Sequence, residues 1–128
     1  IKKIMEITSI VKLVIALGLI NVWAFRYNKS TSYRGGDAGN MKEEFTHYGL
    51  PDWFMYVIGA FKVGLACLLL LTVFVFENQQ IEDIGLSLLS LVMLGAILMH
   101  IKVKDPLLKS LPAFLMLIMS GSIALGLI

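Results

Sequence analysis

Five polar residues with chemically useful side chains stand beside or inside the long apolar runs of this 128-residue chain: Asn21, Glu44, Tyr48, Lys62 and His100. Lys62 is the most unusual of them, because it carries the single charge of the run from Trp53 to Phe76. An ammonium group in apolar surroundings requires a counter-ion, a water-filled cavity or the loss of its proton. The residue types therefore indicate a site that binds a ligand or transfers a proton.

The position of Lys62 in its run favours a polar pocket. Lys62 follows Trp53 by nine residues, about 13 Å along a helix. Gly59 and Ala66 lie one turn away on either side and leave room for packed neighbours. We expect Lys62 to face the interior of a bundle, with Glu44 as its main partner and the other candidates or a bound ligand around it. Two alternatives need no ligand: a side chain that extends to the membrane surface, and a purely structural ion pair.

The same residues do not form a recognisable catalytic or metal-binding set. No Ser–His–Asp arrangement stands out, so no catalytic residue is predicted. Glu44 and His47 form one Glu-x-x-His motif, whereas carboxylate di-iron sites need two such motifs on the core helices of a bundle. No metal is therefore expected.

The elements that position these residues follow from the composition. The chain is 58% hydrophobic with a mean hydropathy of +0.83, which favours lipid as its solvent. Four apolar stretches, at about residues 4–25, 53–76, 84–101 and 111–128, are close to the length that spans a bilayer. Backbone groups in lipid must be bonded internally, so the predicted fold is all-α, a four-transmembrane-helix bundle forming a single membrane domain over residues 1–128.

Other features of the composition exclude several classes of protein. The net charge of +2 is too small to indicate nucleic-acid binding, and a single cysteine excludes an intrachain disulfide. No small-residue cleavage site follows the first apolar stretch, so a signal peptide is not expected. The lipid bilayer is the one partner that the composition itself predicts.

The long first loop contains a predicted helix. Asn40 followed by Glu43 is a variant of the capping box, and Gly49 with Pro51 ends a helix, which gives a helix over about residues 41–48. Its apolar face holds Met41, Phe45 and Tyr48. We expect a short amphipathic helix that lies on the membrane interface or over the mouth of the bundle.

The charges of the loops suggest an orientation. Four spans place loops 26–52 and 102–109 on one face, and the termini and the Glu77–Asp83 turn on the other. The first face carries seven cations, Arg26, Lys29, Arg34, Lys42, Lys102, Lys104 and Lys109, against Lys2, Lys3 and Lys12 on the second. The positive-inside rule places the two loops in the cytoplasm, although the Lys2–Lys3 pair opposes this. Lys12 is expected to pair with Glu82 or Asp83 on the far face, and Trp23 and Phe25 are expected to anchor the interface.

Several short motifs occur in an order that resembles a known family. "YRGG", "EEF..YGLPDW", "GAFKVGLACLLL", "MLGAILMHIKVKDP" and "KSLPAFLMLI" together resemble the DoxX-like family of small four-helix membrane proteins. The resemblance runs from about Trp23 to the end of the fourth span. It implies a membrane protein, expected in the bacterial inner membrane, whose family name derives from a quinone-linked oxidoreductase subunit. Many such proteins have glutamate where this chain has Lys62, so their charge-dependent activities do not transfer directly.

Three functional hypotheses follow from the pocket and the resemblance. The first is an accessory or ligand-binding subunit of a membrane redox or respiratory complex, which binds a quinone or a lipid. The second is an assembly factor that engages another membrane protein. The third is an enzyme that uses Glu44, His100 and Lys62 to transfer protons on a lipid-soluble substrate.

Overall fold

Four long helices and one short loop helix are the main elements of the part of the chain that the structure describes. The computed structural model describes the backbone of residues 2–128 and the side chains from residue 7 onward. The helices are α1 (Lys2–Ile20), α2 (Met41–His47), α3 (Asp52–Phe74), α4 (Gln79–Lys102) and α5 (Leu111–Ala124). A π-helical turn, Asn21–Phe25, extends α1, and a 3-10 turn, Leu107–Ser110, precedes α5. The prediction of an all-helical, four-span bundle with a helix in the first loop is confirmed.

Local signals in the sequence set the ends of the loop helix. The Asn40 side chain accepts a hydrogen bond from the Glu43 backbone N–H at 2.9 Å, which satisfies one of the free donors of the first turn. At the other end Gly49 takes a left-handed conformation with φ of +80°, and the Leu50 N–H returns to the Phe45 carbonyl oxygen. The helix ends at His47, one residue before the predicted end.

The four long helices form a closed bundle. Neighbours around it are α1 with α3, α3 with α4, α4 with α5, and α5 with α1. The buried core contains residues of all four helices, including Ile15, Leu69, Leu89 and Ile123. Large apolar side chains such as Ile10, Leu91 and Ile118 cover the outside, and each is more than half exposed. An apolar exterior over helices of 18 to 24 residues fits lipid as the surrounding solvent.

The two ends of the bundle differ in how they are closed. At the far end, Lys12 of α1 and Glu82 of α4 form a buried ion pair of 2.8 Å, which confirms the expected pairing. At the other end, the first and last loops meet over the helices. The Gly36 backbone N–H donates to the Asp105 carboxylate at 3.0 Å, and Lys109 donates to backbone carbonyl oxygens of the first loop. We call this second end the loop end.

The apolar face of α2 packs onto the loop end. Met41 and Phe45 are buried with Met55 of α3, and Tyr48 just after α2 is also buried. Glu43 and His47 point outward and are exposed. The predicted amphipathic face is therefore confirmed, and it covers the bundle mouth.

Candidate functional site

A large cavity lies between the helices beneath the loop end. Its volume is about 920 Å³. Successive turns of α3 line one wall through Phe54, Ile58 and Lys62, which share one helical face at a spacing of four residues. Small residues of α4 and α5, such as Ala96 and Ala113, line the opposite side. The deeper walls are apolar, whereas the mouth is lined by polar residues of the loops.

All five residues predicted from the sequence line this cavity: Asn21, Glu44, Tyr48, Lys62 and His100. Asn21 opens the π-helical turn at the end of α1, a type of distortion that is frequent at functional sites. Glu44 lies on α2, Tyr48 caps it, and His100 lies in the last turn of α4. Lys62 is the deepest α3 residue of the lining. The structure thus brings together residues from four segments that are far apart in the sequence.

Glu44 is held by a buried arginine and not by Lys62. One carboxylate oxygen of Glu44 lies 2.9 Å from the Arg34 guanidinium. The other accepts hydrogen bonds from the Tyr48 hydroxyl at 2.8 Å and from the Gly35 backbone N–H at 3.1 Å. The predicted direct ion pair between Lys62 and Glu44 is therefore wrong, because Glu44 pairs with Arg34 and interacts with Lys62 only at longer range. Arg34 also donates to the carbonyl oxygens of Arg26, Tyr27 and Lys29, so its own donors are well satisfied.

The Lys62 ammonium faces the cavity without a carboxylate partner. Among the side chains that the structure describes, none lies within ion-pair or hydrogen-bond distance of it. Its nearest recorded partner is the Trp23 ring, whose centroid lies 5.6 Å from Nζ in a cation–π contact. Trp23 packs edge-on against Phe45 and lines the cavity, so it is a wall of the site in addition to any anchoring role.

A second polar chain runs from the last loop to Glu44. Asp105 Oδ2 lies 2.8 Å from His100 Nδ1, and the Tyr48 hydroxyl lies 3.3 Å from His100 Nε2. Lys104 makes this possible, because its left-handed conformation, with φ of +60°, turns the chain back at the end of α4. The Asp105 N–H then bonds to the His100 carbonyl oxygen. Together these contacts connect Asp105, His100, Tyr48 and Glu44 in one hydrogen-bonded series.

The ionisation of two loop-end groups is shifted by their surroundings. Burial, reinforced by the Glu44 carboxylate, raises the pKa of the Tyr48 phenol far above its ordinary value, so Tyr48 stays a neutral donor. Burial alone would raise the pKa of Asp105. The hydrogen bonds from His100 and the Gly36 N–H, with the charges of His100 and Lys109, outweigh that effect and lower it. Asp105 is therefore a stable anion at neutral pH.

Several residues of the site are not indicated as such by the sequence: Trp23, Arg34, Asp105 and Lys109. The sequence analysis identifies Arg34 and Lys109 only as loop charges, and Asp105 is not among its predicted site residues. The Gly35–Gly36 pair that follows Arg34 could have indicated that this part of the loop packs closely against another element. A Cβ on Gly35 would lie 2.6 Å from the Tyr48 ring, so a glycine is needed for this loop to approach.

Comparison with known proteins decides the family. The sequence profile of the DoxX-like family matches residues 36–122, which is most of the chain. The chain belongs to the DoxX-like family. The match includes Glu44, Tyr48, Lys62 and His100, while Asn21, Trp23 and Arg34 lie before it. No curated protein and no solved structure matches the chain.

Family membership and the four apolar helices together identify this DoxX-like protein as an integral membrane protein. Among the residues that the structure describes, no group of three or more His, Cys, Asp or Glu side chains is placed to hold a metal ion. The side chains at the mouth instead offer hydrogen-bond donors, cations and one acceptor carboxylate. These are the groups that orient the polar end of an organic molecule.

Proposed function

We propose that this DoxX-like protein binds a lipid-soluble amphiphile, of the quinone or lipid type, in the cavity beneath the loop end. The observation that carries the proposal is the cavity itself. Its volume of about 920 Å³ lies in the range of small-molecule sites, and its apolar walls end at a polar mouth. That division matches a molecule with an apolar body and a polar head.

The biological setting that we propose is that of an accessory, ligand-binding subunit of a membrane redox or respiratory complex. Two features support a binding role in such a complex. The polar groups at the loop end are held in place by hydrogen bonds to one another, and Tyr48 remains a neutral donor, so the site is suited to holding a ligand. The exposed apolar flanks of the helices leave ample surface for another membrane protein. Co-purification in mild detergent tests the partner separately from the ligand.

Tryptophan fluorescence offers a direct test of ligand binding. The chain has two tryptophans: Trp23 lines the cavity, and Trp53 is 66% exposed outside it. A Trp53→Phe variant leaves Trp23 as the sole reporter. Titration of this variant with decylubiquinone in detergent should quench its fluorescence in a saturable manner, because the quinone ring would lie close to the indole.

A matched pair of variants separates the cavity from the lipid-facing surface. Ala96→Phe fills the cavity from α4 and should abolish saturable quenching. Leu98→Phe adds bulk on the exposed side of the same helix and should leave quenching unchanged. Linear, non-saturating quenching that is equal in both variants would mean partition into detergent, and the proposed function would be rejected for this ligand.

We also propose that the protein lies in the bacterial plasma membrane with its loop end in the cytoplasm. Arg34, Lys102 and Lys109 are engaged in the loop-end network, which leaves four cations there to follow the positive-inside rule: Arg26, Lys29, Lys42 and Lys104. Cysteines introduced at Ser30 and at Gln79 should react from opposite sides of the membrane. Reaction of Ser30→Cys from the outside would reverse the orientation.

A proton-transfer enzyme is the second candidate, and one specific observation favours it. The hydrogen-bonded series from Asp105 through His100 and Tyr48 to Glu44 reaches the cavity wall. An enzyme would change the ligand chemically, whereas a binding subunit returns it intact. Mass spectrometry of molecules co-purified with the wild type and with a His100→Gln variant distinguishes the two, because only an enzyme produces a species missing from the variant.

A further inference from the structure

The Lys62 ammonium, which has no ion-pair partner among the described residues, supports a more specific conclusion about the ligand. We infer that the cavity binds an anionic amphiphile, whose carboxylate or phosphate group lies against Lys62 while its apolar chain fills the space between the helices. This inference rests on the proposed ligand-binding function and narrows it to a chemical class. It excludes a neutral quinone as the preferred ligand.

The charges that line the cavity are strongly unequal. Four of the lining residues are cationic, Arg26, Arg34, Lys62 and Lys109, and Glu44 is the one carboxylate among them. Arg34 neutralises Glu44 directly at 2.9 Å. Asp105, which is not part of the lining, interacts with the charge of Lys109. Among the described residues no carboxylate forms an ion pair with Arg26 or Lys62, so the excess of positive charge lies on these two residues.

The cations at the mouth differ in how far they are already engaged. Arg34 and Lys109 donate to backbone carbonyl oxygens, so they hold the loops together. Within the described residues, the Lys62 ammonium forms no hydrogen bond or ion pair; it lies over the face of the Trp23 ring and interacts with the Glu44 carboxylate only at longer range. Because Lys62 extends from an apolar helix, the loss of hydration of its ammonium is costly unless an anion or water replaces the lost contacts. Arg26 and Lys62 are thus the lining cations that remain available to a ligand; Arg26 is exposed, whereas Lys62 extends from the apolar helix α3.

The position of Lys62 also fits the head of an amphiphile and not a solute that binds at the surface. The Lys62 backbone lies one turn below Ile58 and two below Phe54. Its ammonium lies 5.6 Å from the centroid of the Trp23 ring, which packs against Phe45 under the loop end. A head group held at the ammonium therefore lies on the mouth side, and its chain extends along the deeper apolar walls. Leu19 and Met93, from the neighbouring helices α1 and α4, line the wall around this depth. A small hydrophilic anion would lose hydration to reach Lys62 and would gain nothing from these walls. A chain-bearing anion gains burial of its apolar part in addition to the ion pair.

The test compares molecules that differ in head-group charge but share a chain. Oleate and oleyl alcohol have the same 18-carbon tail, and oleoyl lysophosphatidic acid replaces the carboxylate by a phosphate. Each is titrated into the Trp53→Phe protein in a neutral detergent, with Trp23 fluorescence as the readout. We expect at least one anionic probe to bind about tenfold more tightly than oleyl alcohol. The ratio between the two anions distinguishes a carboxylate ligand from a phosphate ligand.

Variants at Lys62 assign the preference to its charge. Lys62→Met should bind the anion and oleyl alcohol about equally, with binding of the alcohol preserved. Lys62→Arg should retain most of the preference for the anion. Lys42→Met is the matched control, because Lys42 is exposed, pairs with Asp52 and does not line the cavity. The Lys42→Met variant should prefer the anionic probe to oleyl alcohol as strongly as the parent protein does.

The outcomes separate this inference from the proposed function. Equal binding of oleate and oleyl alcohol, or stronger binding of decylubiquinone than of either anion, overturns the anionic class but leaves a ligand-binding cavity. A charge preference that survives Lys62→Met overturns the role of Lys62. Absence of saturable binding by every probe, together with no effect of Ala96→Phe, overturns both.

Discussion

The Glu44 carboxylate lies 2.9 Å from the Arg34 guanidinium, and both side chains are almost entirely buried beneath the loop end. This pair has two consequences for the site. It fixes α2 over the mouth of the bundle, and it engages the one carboxylate of the cavity lining, which therefore acts on Lys62 only at longer range. The charge of the cavity therefore depends on a contact between two loop segments ten residues apart.

The Arg34–Glu44 pair should make a measurable contribution to stability. Glu44→Gln alone leaves the buried guanidinium without its counter-charge and should reduce the free energy of unfolding by about 3 kcal/mol. Arg34→Met combined with Glu44→Gln should recover about 1–3 kcal/mol of coupling in a double-mutant cycle followed by thermal unfolding in detergent. The exposed Lys42–Asp52 pair is the control, with coupling below about 1 kcal/mol. A coupling near zero for the buried pair would contradict the loop-end packing.

A glycine of α3 should report the position of Trp23. A Cβ at Gly59 would lie 2.6 Å from the Trp23 ring, whereas a Cβ at Gly64 would meet nothing within 4 Å. Gly59→Ala should therefore destabilise the protein by about 1–3 kcal/mol and shift the Trp23 emission in the Trp53→Phe background. Gly64→Ala gains helix propensity without a clash and should be neutral or stabilising. Equal behaviour of the two variants would place Trp23 elsewhere.

Low pH should weaken the contact between Asp105 of the last loop and His100 of α4. The pKa of Asp105 is lowered in the folded protein, so its contribution to stability is complete above its ordinary value of 3.8 and is lost as the pH falls below it. The melting temperature of the wild type should fall more steeply between about pH 5 and pH 3 than that of Asp105→Asn. Asp37→Asn, at an exposed loop position, should keep the wild-type slope. Identical slopes in all three proteins would refute the role of Asp105.

The architecture was predictable because its signals are local. Apolar length predicts the four helices, and the Asn40 cap with Gly49 predicts α2 to within one residue. The same periodicity assigned Met41, Phe45 and Tyr48 to the buried face. Which residues line the cavity could also be predicted from their position along each helix. Residues in the loop-end half of each helix lie at a similar depth in the bundle.

The partners within the site were not predictable in the same way. Arg34 reaches Glu44 only because the loop folds back, so that the Met41 N–H bonds to the Tyr27 carbonyl oxygen. Lys104 adopts a left-handed conformation that its residue type does not favour, and Asp105 meets His100 through that turn. Such contacts depend on the tertiary path of the loops. The sequence predicted Glu44 as the counter-ion of Lys62, but among the described residues Glu44 forms its ion pair with Arg34 and interacts with Lys62 only at longer range.

Water accessibility at position 62 tests the central claim most directly. The native Cys67 is first replaced by serine, so that the introduced cysteine is the sole thiol. A charged, membrane-impermeant thiol reagent added on the loop side should modify Lys62→Cys, because the cavity opens there, and excess oleyl alcohol, whose binding does not need the Lys62 charge, should slow this reaction. Ser30→Cys at the cavity mouth is the positive control, and Phe61→Cys on the exposed side of α3 should remain unreacted. If Lys62→Cys is as inert as Phe61→Cys while Ser30→Cys reacts, position 62 faces lipid and the account of the site is contradicted.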